Sequence, residues 1–171
     1  MEKKHKWFDS IWNIKVVDKQ GKIVWEDEGK NSLTDEGEEA MIETFFRAAA
    51  GYTPSAFYIR LCNDTLTETD TLTTVAGEPV STYGYVGQLV ERTTVGFPTK
   101  ELSDGDYRLI SKEVTFTAVG GDIGPVTTAF LATTNDSTGK LVAFRALQVT
   151  RTITDGNSAI IAFRVKVKPG N

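Results

Sequence analysis

Few residues in this sequence have the chemistry of a catalyst. The chain has one histidine, His5, among lysines near its start, and one cysteine, Cys62, in an apolar stretch. Because His5 lies in a polar segment that we expect to fray, the sequence argues against Ser-His-Asp catalysis, Cys-His catalysis and multi-histidine metal sites. A lone cysteine in a strand-like stretch is typical of a small buried side chain, and it excludes an intrachain disulfide.

Oxygen ligands are the next candidates. Asp64, Glu68 and Asp70 lie close along one polar stretch and supply the ligand atoms that calcium prefers. They lack the glycine and the ligand spacing of an EF-hand loop, so we predict a solvated loop with no metal and no cofactor. The glycine-rich segment 120–125 lies between strand-like stretches, which predicts a tight turn and not a phosphate cradle. A glycosidase with two carboxylates is an alternative that nothing in the sequence favours, so we predict that the protein is not an enzyme.

Aromatic residues could bind sugars or other proteins. Tyr52, Tyr83 and Tyr85 are candidate glycan contacts, and they define one alternative function, that of a carbohydrate-binding β-sandwich module. Trp7 and Phe8 follow a polar tail and precede the first strand-like stretch. We expect this pair to dock either on the protein's own sandwich or on a neighbouring protein.

Composition limits the class of protein. The chain has 171 residues, of which 40% are hydrophobic and 25% charged, as expected for one globular domain. A net charge of −4 argues against nucleic acid as a partner, because phosphate binding needs a basic surface. No apolar run reaches the ~18 residues of a membrane span. The basic N-terminal segment leads into no apolar region, so we predict no secretory signal.

One segment carries a convincing helical period. Residues 34–50 predict an amphipathic α-helix with Thr34 as a candidate N-cap. The positive end of the helix dipole favours the acidic residues of the first turns. We expect the apolar face to pack on strands, with Phe45 and Phe46 buried. The residues of this face are Met41, Ile42, Phe45, Phe46 and Ala49.

The rest of the chain alternates apolar and polar residues, most clearly in residues 158–168, and a strand is also expected over residues 83–95. Short strands separated by turn signals predict an antiparallel β-sandwich of about eight strands, with the helix on its edge or over one open end. We predict an N-terminal arm at 1–10 and a single sandwich domain at 11–171. The long polar loop 63–82 is of a kind that is usually functional or mobile. Three apolar residues could hold it in place, namely Leu66, Leu72 and Val75.

The order of these features resembles small structural proteins of tailed-bacteriophage virions. The resemblance covers residues 31–168 and implies a jelly-roll-like β-sandwich that decorates a capsid or builds a neck, tail or baseplate part, without catalytic residues. The resemblance implies synthesis in the cytoplasm of the bacterial host and a final location in the virion, and the expected partners are other virion proteins and further copies of the chain. The matching features are Asn31, Leu33, Thr34 and Gly37 at the helix start, the strand AFYIRLC, Gly77-Glu78, residues 85–92, Val114-Thr115-Phe116, Pro125-Val126, Gly139, residues 141–147 and Thr154-Asp155-Gly156.

Uneven charge suggests where copies or neighbours could meet. Acidic residues crowd the segment 26–43 and basic residues crowd the last strands. In one account the two sets face each other inside one domain or point separately to water. In the other account the acidic face of one subunit meets the basic strands of the next. The candidate interface residues are Trp7, Phe8, Glu36, Glu39, Glu43, Arg151, Arg164, Lys166 and Lys168.

Overall fold

Alternating strands build two antiparallel sheets that pack face to face. The computed structural model describes residues 8–47, 53–103 and 105–167. The strands are β1 (Phe8–Val17), β2 (Ile23–Lys30), β3 (Ser32–Leu33), β4 (Ala56–Cys62), β5 (Gln88–Glu91), β6 (Thr99–Ser103), β7 (Asp106–Ile110), β8 (Val114–Thr117), β9 (Ile123–Ala132), β10 (Leu141–Ile153) and β11 (Ser158–Val167). The helix α1 (Asp35–Ile42) continues into a π-helical turn (Glu43–Arg47), and a 3-10 turn occupies Ser81–Tyr83.

The larger sheet has the strand order β2-β1-β11-β7-β6, with β8 also paired to β11. The smaller sheet has the order β3-β10-β9-β4-β5. These sheets confirm the prediction of a mainly β, antiparallel sandwich with one helix. No helix in the described segments is long and apolar enough to cross a membrane.

The main core lies between the sheets, as the alternation in β1 and β11 predicts. Trp12 and Ile14 point inward from β1, opposite Phe163 and Ile161 of β11. The Trp12 and Phe163 rings stack with their centroids 5.7 Å apart. Inward-facing side chains of the smaller sheet, such as Leu61 of β4, complete this cluster.

The smaller sheet is also buried on its outer face, which makes the long loop a structural layer. Leu66 and Leu72 of the loop are buried with Cys62, Phe130 and Phe144 in a second apolar cluster. The apolar residues singled out in the sequence, Leu66, Leu72 and the partly buried Val75, therefore pack the loop against the smaller sheet. The reason is that Cys62 of β4 and Phe130 of β9 belong to this second cluster, so that the outer face of the sheet is apolar there and needs cover.

Strand directions place the start of α1 and the connection between β6 and β7 at the same end of the sandwich. The 154–157 turn joins the end of β10 to the start of β11, so Leu141 and Lys166 lie at the opposite end. At this end α1 starts beside Leu141. The connection between β6 and β7 lies at the same end, because Arg108 of β7 pairs with Lys166. We call this the helix end of the sandwich.

Two boundaries differ from the prediction. Strand β1 begins at Phe8, which pairs with Val167, so residues 8–10 belong to the larger sheet and not to an arm. The strand expected over residues 83–95 is confined to Gln88–Glu91. Residues before Gln88 do not continue the strand, because Gly84 adopts the left-handed conformation, with φ of 85°, and ends the 3-10 turn.

Candidate functional site

The N-terminus of α1 is fixed firmly to the smaller sheet. Thr34 is fully buried, and its hydroxyl accepts the backbone N–H of Gly37 at 3.0 Å while donating to the Leu141 carbonyl. The Thr34 N–H donates to the Val142 carbonyl at 3.1 Å. A Cβ at Gly37 would collide with the backbone of Val142. Thr34 is thus both the N-cap and the anchor of the helix.

Replacing Thr34 with valine is expected to lower the free energy of unfolding by about 1–2 kcal/mol. Valine keeps the shape of the side chain but removes the hydroxyl that caps Gly37 and reaches Leu141. Urea denaturation measures the change. Thr34→Ser keeps the hydroxyl and should lose less; an equal loss in both variants would assign the effect to packing.

Glu36 was a candidate interface residue, and the structure gives its carboxylate three internal partners. Oε2 accepts the backbone N–H groups of Leu72 at 3.0 Å and Leu141 at 2.6 Å. Oε1 lies 3.3 Å from Nζ of Lys140. Glu36 therefore joins the helix, the long loop and β10, so it has little capacity left for a partner protein.

The apolar face of the helix points to solvent, and the expectation that Phe45 and Phe46 are buried is wrong for the single chain. Their exposed fractions are 82% and 76%. The two rings touch edge to face, with centroids 4.9 Å apart. Met41 and Ile42 are exposed on the preceding turn. We call these four residues the helix patch.

Small residues explain this orientation. Gly37 and Ala40 are the buried residues of α1, because only they allow its backbone to approach β10 closely. The side of the helix with little side-chain volume therefore faces the sandwich. The larger apolar residues form a contiguous surface at the helix end, of a kind that typically marks an interaction site.

The other candidate charges are spread over the molecule. Glu39 is exposed on α1, and Glu43 forms a 2.8 Å ion pair with Arg47. Arg151 stacks over the Trp25 ring at 4.6 Å, and Lys166 pairs with Asp106 at 2.5 Å. Arg164 is half-buried on β11, opposite Ile110. Trp7, Lys168 and the side chain of Phe8 lie outside the described part of the chain.

Some of the acidic and basic residues pair within the chain. Asp27 is buried and accepts two hydrogen bonds from Arg145, at 3.0 and 3.1 Å. Together with the Glu36–Lys140 pair, this contact links the acidic segment to β10. For these four residues, acidic and basic side chains therefore face each other inside one domain, which is the first of the two accounts given for the uneven charge.

The three tyrosines do not form one surface. Tyr85 is buried, and its hydroxyl accepts the Leu61 N–H at 2.9 Å and donates to Oε2 of Glu78 at 2.7 Å. Tyr85 is therefore unavailable to a glycan, contrary to its assignment as a candidate contact. Tyr83 is partly exposed and lies over Gly121, while Tyr52 falls outside the described residues.

Tyr85 belongs to a buried polar network centred on Arg60. The Arg60 guanidinium forms a two-point ion pair with Glu78, donates to the Asp136 carbonyl at 2.8 Å and lies over the Phe130 ring. Burial, followed by the negative charge of Glu78, raises the pKa of Tyr85. Burial also raises the pKa of Cys62 to about 12, so the thiol stays protonated and unreactive at neutral pH. The Arg60 network and the Cys62 thiol therefore have structural roles: the polar groups are hydrogen-bonded to one another, and the thiol is enclosed among apolar side chains.

Two carboxylates of the long loop, those of Asp64 and Asp70, bind the loop's own donors. Asp64 accepts the backbone N–H groups of Thr65 and Ala76. Asp70 accepts the N–H and hydroxyl of Thr67, and these hydrogen bonds lower the pKa of Asp70. Within the described residues no group of three or more potential ligands is arranged to hold a metal ion.

A second exposed apolar surface, which was not predicted, lies at the helix end. Leu102 and Tyr107 lie opposite each other in the β6–β7 pair, with exposed fractions of 63% and 64%. Nζ of Lys100 lies 6.0 Å from the centre of the Tyr107 ring. We call Lys100, Leu102 and Tyr107 the hairpin patch. Alternation alone does not show which strand faces the fold leaves exposed, so this patch could be identified only from the three-dimensional structure.

Comparison with known proteins assigns most of the chain to a family. Residues 32–165 match the family model described as podophage GP4 fiber I protein gp80. The match includes the helix, the long loop and strands β3 to β10, together with most of β11. Comparison with curated proteins gives no match. The chain therefore belongs to the family of the podophage GP4 fiber I protein gp80, and it is a structural protein of a tailed-phage virion.

Proposed function

We propose that this protein is a non-enzymatic building block of the virion that assembles with further copies of itself and with neighbouring structural proteins. The observation that carries the proposal is the helix patch, in which Phe45 and Phe46 are 82% and 76% exposed. Family membership supports a structural role. The specific partners and the self-assembly are part of the proposal.

The energetics of the helix patch favour a protein partner. Burying a large apolar side chain contributes about 1.5–3 kcal/mol. Two phenylalanine rings, with Met41 and Ile42 beside them, can therefore supply the apolar centre of an interface. Of the tyrosines considered as glycan contacts, Tyr85 is enclosed in the core and Tyr83 is only partly exposed.

The support of the helix also favours binding. Thr34, Glu36 and Gly37 fix the first turns of α1 to β10 and to the long loop. A pre-organised surface loses less conformational entropy when it binds. The helix patch is thus presented on a fixed base, with its apolar side outward.

Replacing both Phe45 and Phe46 with serine is expected to abolish or strongly weaken assembly and to leave the stability of the monomer nearly unchanged. The rings are exposed in the single chain, so their loss removes little folding energy. Sedimentation velocity measures the assembly and thermal unfolding measures the stability. Val24→Ser is the matched control, because Val24 is 54% exposed on β2 away from the helix. Unchanged assembly in the Phe45→Ser/Phe46→Ser variant would contradict a role for the helix patch.

The absence of turnover is tested separately. We expect the purified protein to leave polysaccharide, peptide and phosphoester substrates unchanged. We also expect the protein to co-purify with particles when these are isolated. A measured rate that a single carboxylate substitution abolishes would contradict the non-enzymatic assignment.

A further inference from the structure

We propose that the helix patch of one copy binds the hairpin patch of a second copy of this chain. This inference rests on the proposed function and names the surface that receives the helix. It brings together two exposed apolar surfaces with complementary charge, the helix patch beside acidic residues of α1 and the hairpin patch with Lys100.

The hairpin patch has the composition of a receiving surface. Leu102 and Tyr107 lie opposite each other in the register of β6 and β7. Lys100 is on the same side of β6 as Leu102, since side chains two residues apart share a face. Its ammonium group lies 6.0 Å from the Tyr107 ring. The patch thus combines an aromatic ring, an aliphatic side chain and a positive charge at the edge of the larger sheet.

The helix supplies the opposite charge. The first turn of α1 contains Asp35, Glu36 and Glu38, and the one basic residue of the helical segment 35–47, Arg47, forms an ion pair with Glu43. Glu39 is exposed on α1, six residues before Phe45. In the proposed contact the phenylalanine rings meet Leu102 and Tyr107, while Glu39 lies near Lys100 of the second copy. The apolar residues supply affinity, and the charges mainly set orientation and association rate.

Charge favours a helix-to-hairpin contact over two helices meeting face to face. A twofold contact between helix patches would bring two acidic helix segments together, and like charges across an interface are unfavourable. The helix-to-hairpin contact uses different surfaces on the two copies, so it is heterologous. Both patches lie at the helix end of the sandwich. Successive copies can therefore point in the same direction, and a closing rotation would produce a ring.

Charge reversal with rescue tests this contact. Glu39→Lys and Lys100→Glu should each weaken self-association by about tenfold at low salt, because each brings like charges together. The double variant Glu39→Lys/Lys100→Glu should restore association to within about threefold of the unmodified chain. Lys19→Glu is the matched control, since Lys19 is exposed in the turn between β1 and β2. Sedimentation velocity at several protein concentrations gives the association constants, and thermal unfolding confirms that each variant is folded.

Cross-linking locates the contact independently. A Glu39→Cys protein and a tagged Lys100→Cys protein are mixed and treated with a short bis-maleimide. The native Cys62 is fully buried and does not compete. We expect a mixed cross-linked dimer in excess of either homodimer and of the Glu39→Cys with Lys19→Cys control.

The outcomes separate this inference from the proposed function. Normal assembly of Lys100→Glu, failure of the double variant to recover, or cross-linking mainly between two Glu39→Cys chains would overturn the helix-to-hairpin contact. In each of these cases the unmodified chain still assembles, so the proposed function stands. An unmodified chain that stays monomeric at all concentrations would overturn the contact together with the self-assembly on which it rests.

Discussion

Replacing Glu78 with alanine is expected to lower the free energy of unfolding by about 3 kcal/mol, among the largest effects of a single substitution in this chain. The variant leaves the buried guanidinium of Arg60 without its carboxylate partner. It also removes the nearer of two acceptors of the Tyr85 hydroxyl, at 2.7 Å, and leaves the Leu61 carbonyl at 3.1 Å. Glu78 retains partial exposure, which places the loss at the lower end of the range for a broken buried pair. Urea denaturation followed by tryptophan fluorescence measures it.

A double-mutant cycle provides the control. Arg60→Met replaces the guanidinium with an apolar side chain that can still cover Phe130. In the Arg60→Met/Glu78→Ala variant no buried charge remains unpaired, so its loss should be clearly smaller than the sum of the single losses. Additive losses would show that Arg60 and Glu78 act independently, contrary to the network described above.

Replacing Leu72 with alanine is expected to cost about 2–4 kcal/mol. Leu72 is 2% exposed and lies in the second apolar cluster, which covers the outer face of the smaller sheet. Its loss leaves a cavity above that face and loosens the loop, so proteolysis within the loop should also become faster. Denaturant unfolding and limited proteolysis are the two measurements.

Val80→Ala is the matched control for Leu72→Ala. Val80 lies in the same loop but is 62% exposed, so its truncation should change stability by less than about 0.5 kcal/mol. Equal and small effects at both positions would mean that the loop is not a packed layer.

The sandwich could be predicted because its signal is local. Alternation in residues 158–168 marks β11, and the turns at 18–21 and 154–157 mark the ends of neighbouring strands. Thr34 was identified as a possible N-cap for the same reason, since capping depends on residues within one turn. Each of these features is determined by interactions over a few residues.

The surroundings of the helix could not be predicted, because they depend on distant residues. The apolar period of α1 correctly indicates a helix but does not say which surface the apolar face meets. Val142 and Leu141, more than a hundred residues away, select the Gly37 side of the helix for the sandwich. The roles of Glu36 and Tyr85 were missed for a similar reason, since their partners come from other elements. A strong apolar face that the fold leaves exposed is consistent with a chain that assembles.

Oxidative footprinting of the intact particle tests the central claim most directly. Hydroxyl radicals label exposed aromatic side chains, and the labelling of Phe45 and Phe46 can be compared between the particle and the dissociated monomer. Tyr83, which is partly exposed near Gly121, serves as an internal reference. We predict that both phenylalanines are labelled readily in the monomer and are strongly protected in the particle. Labelling of both rings in the particle at the rate seen in the monomer would contradict assembly through the helix patch.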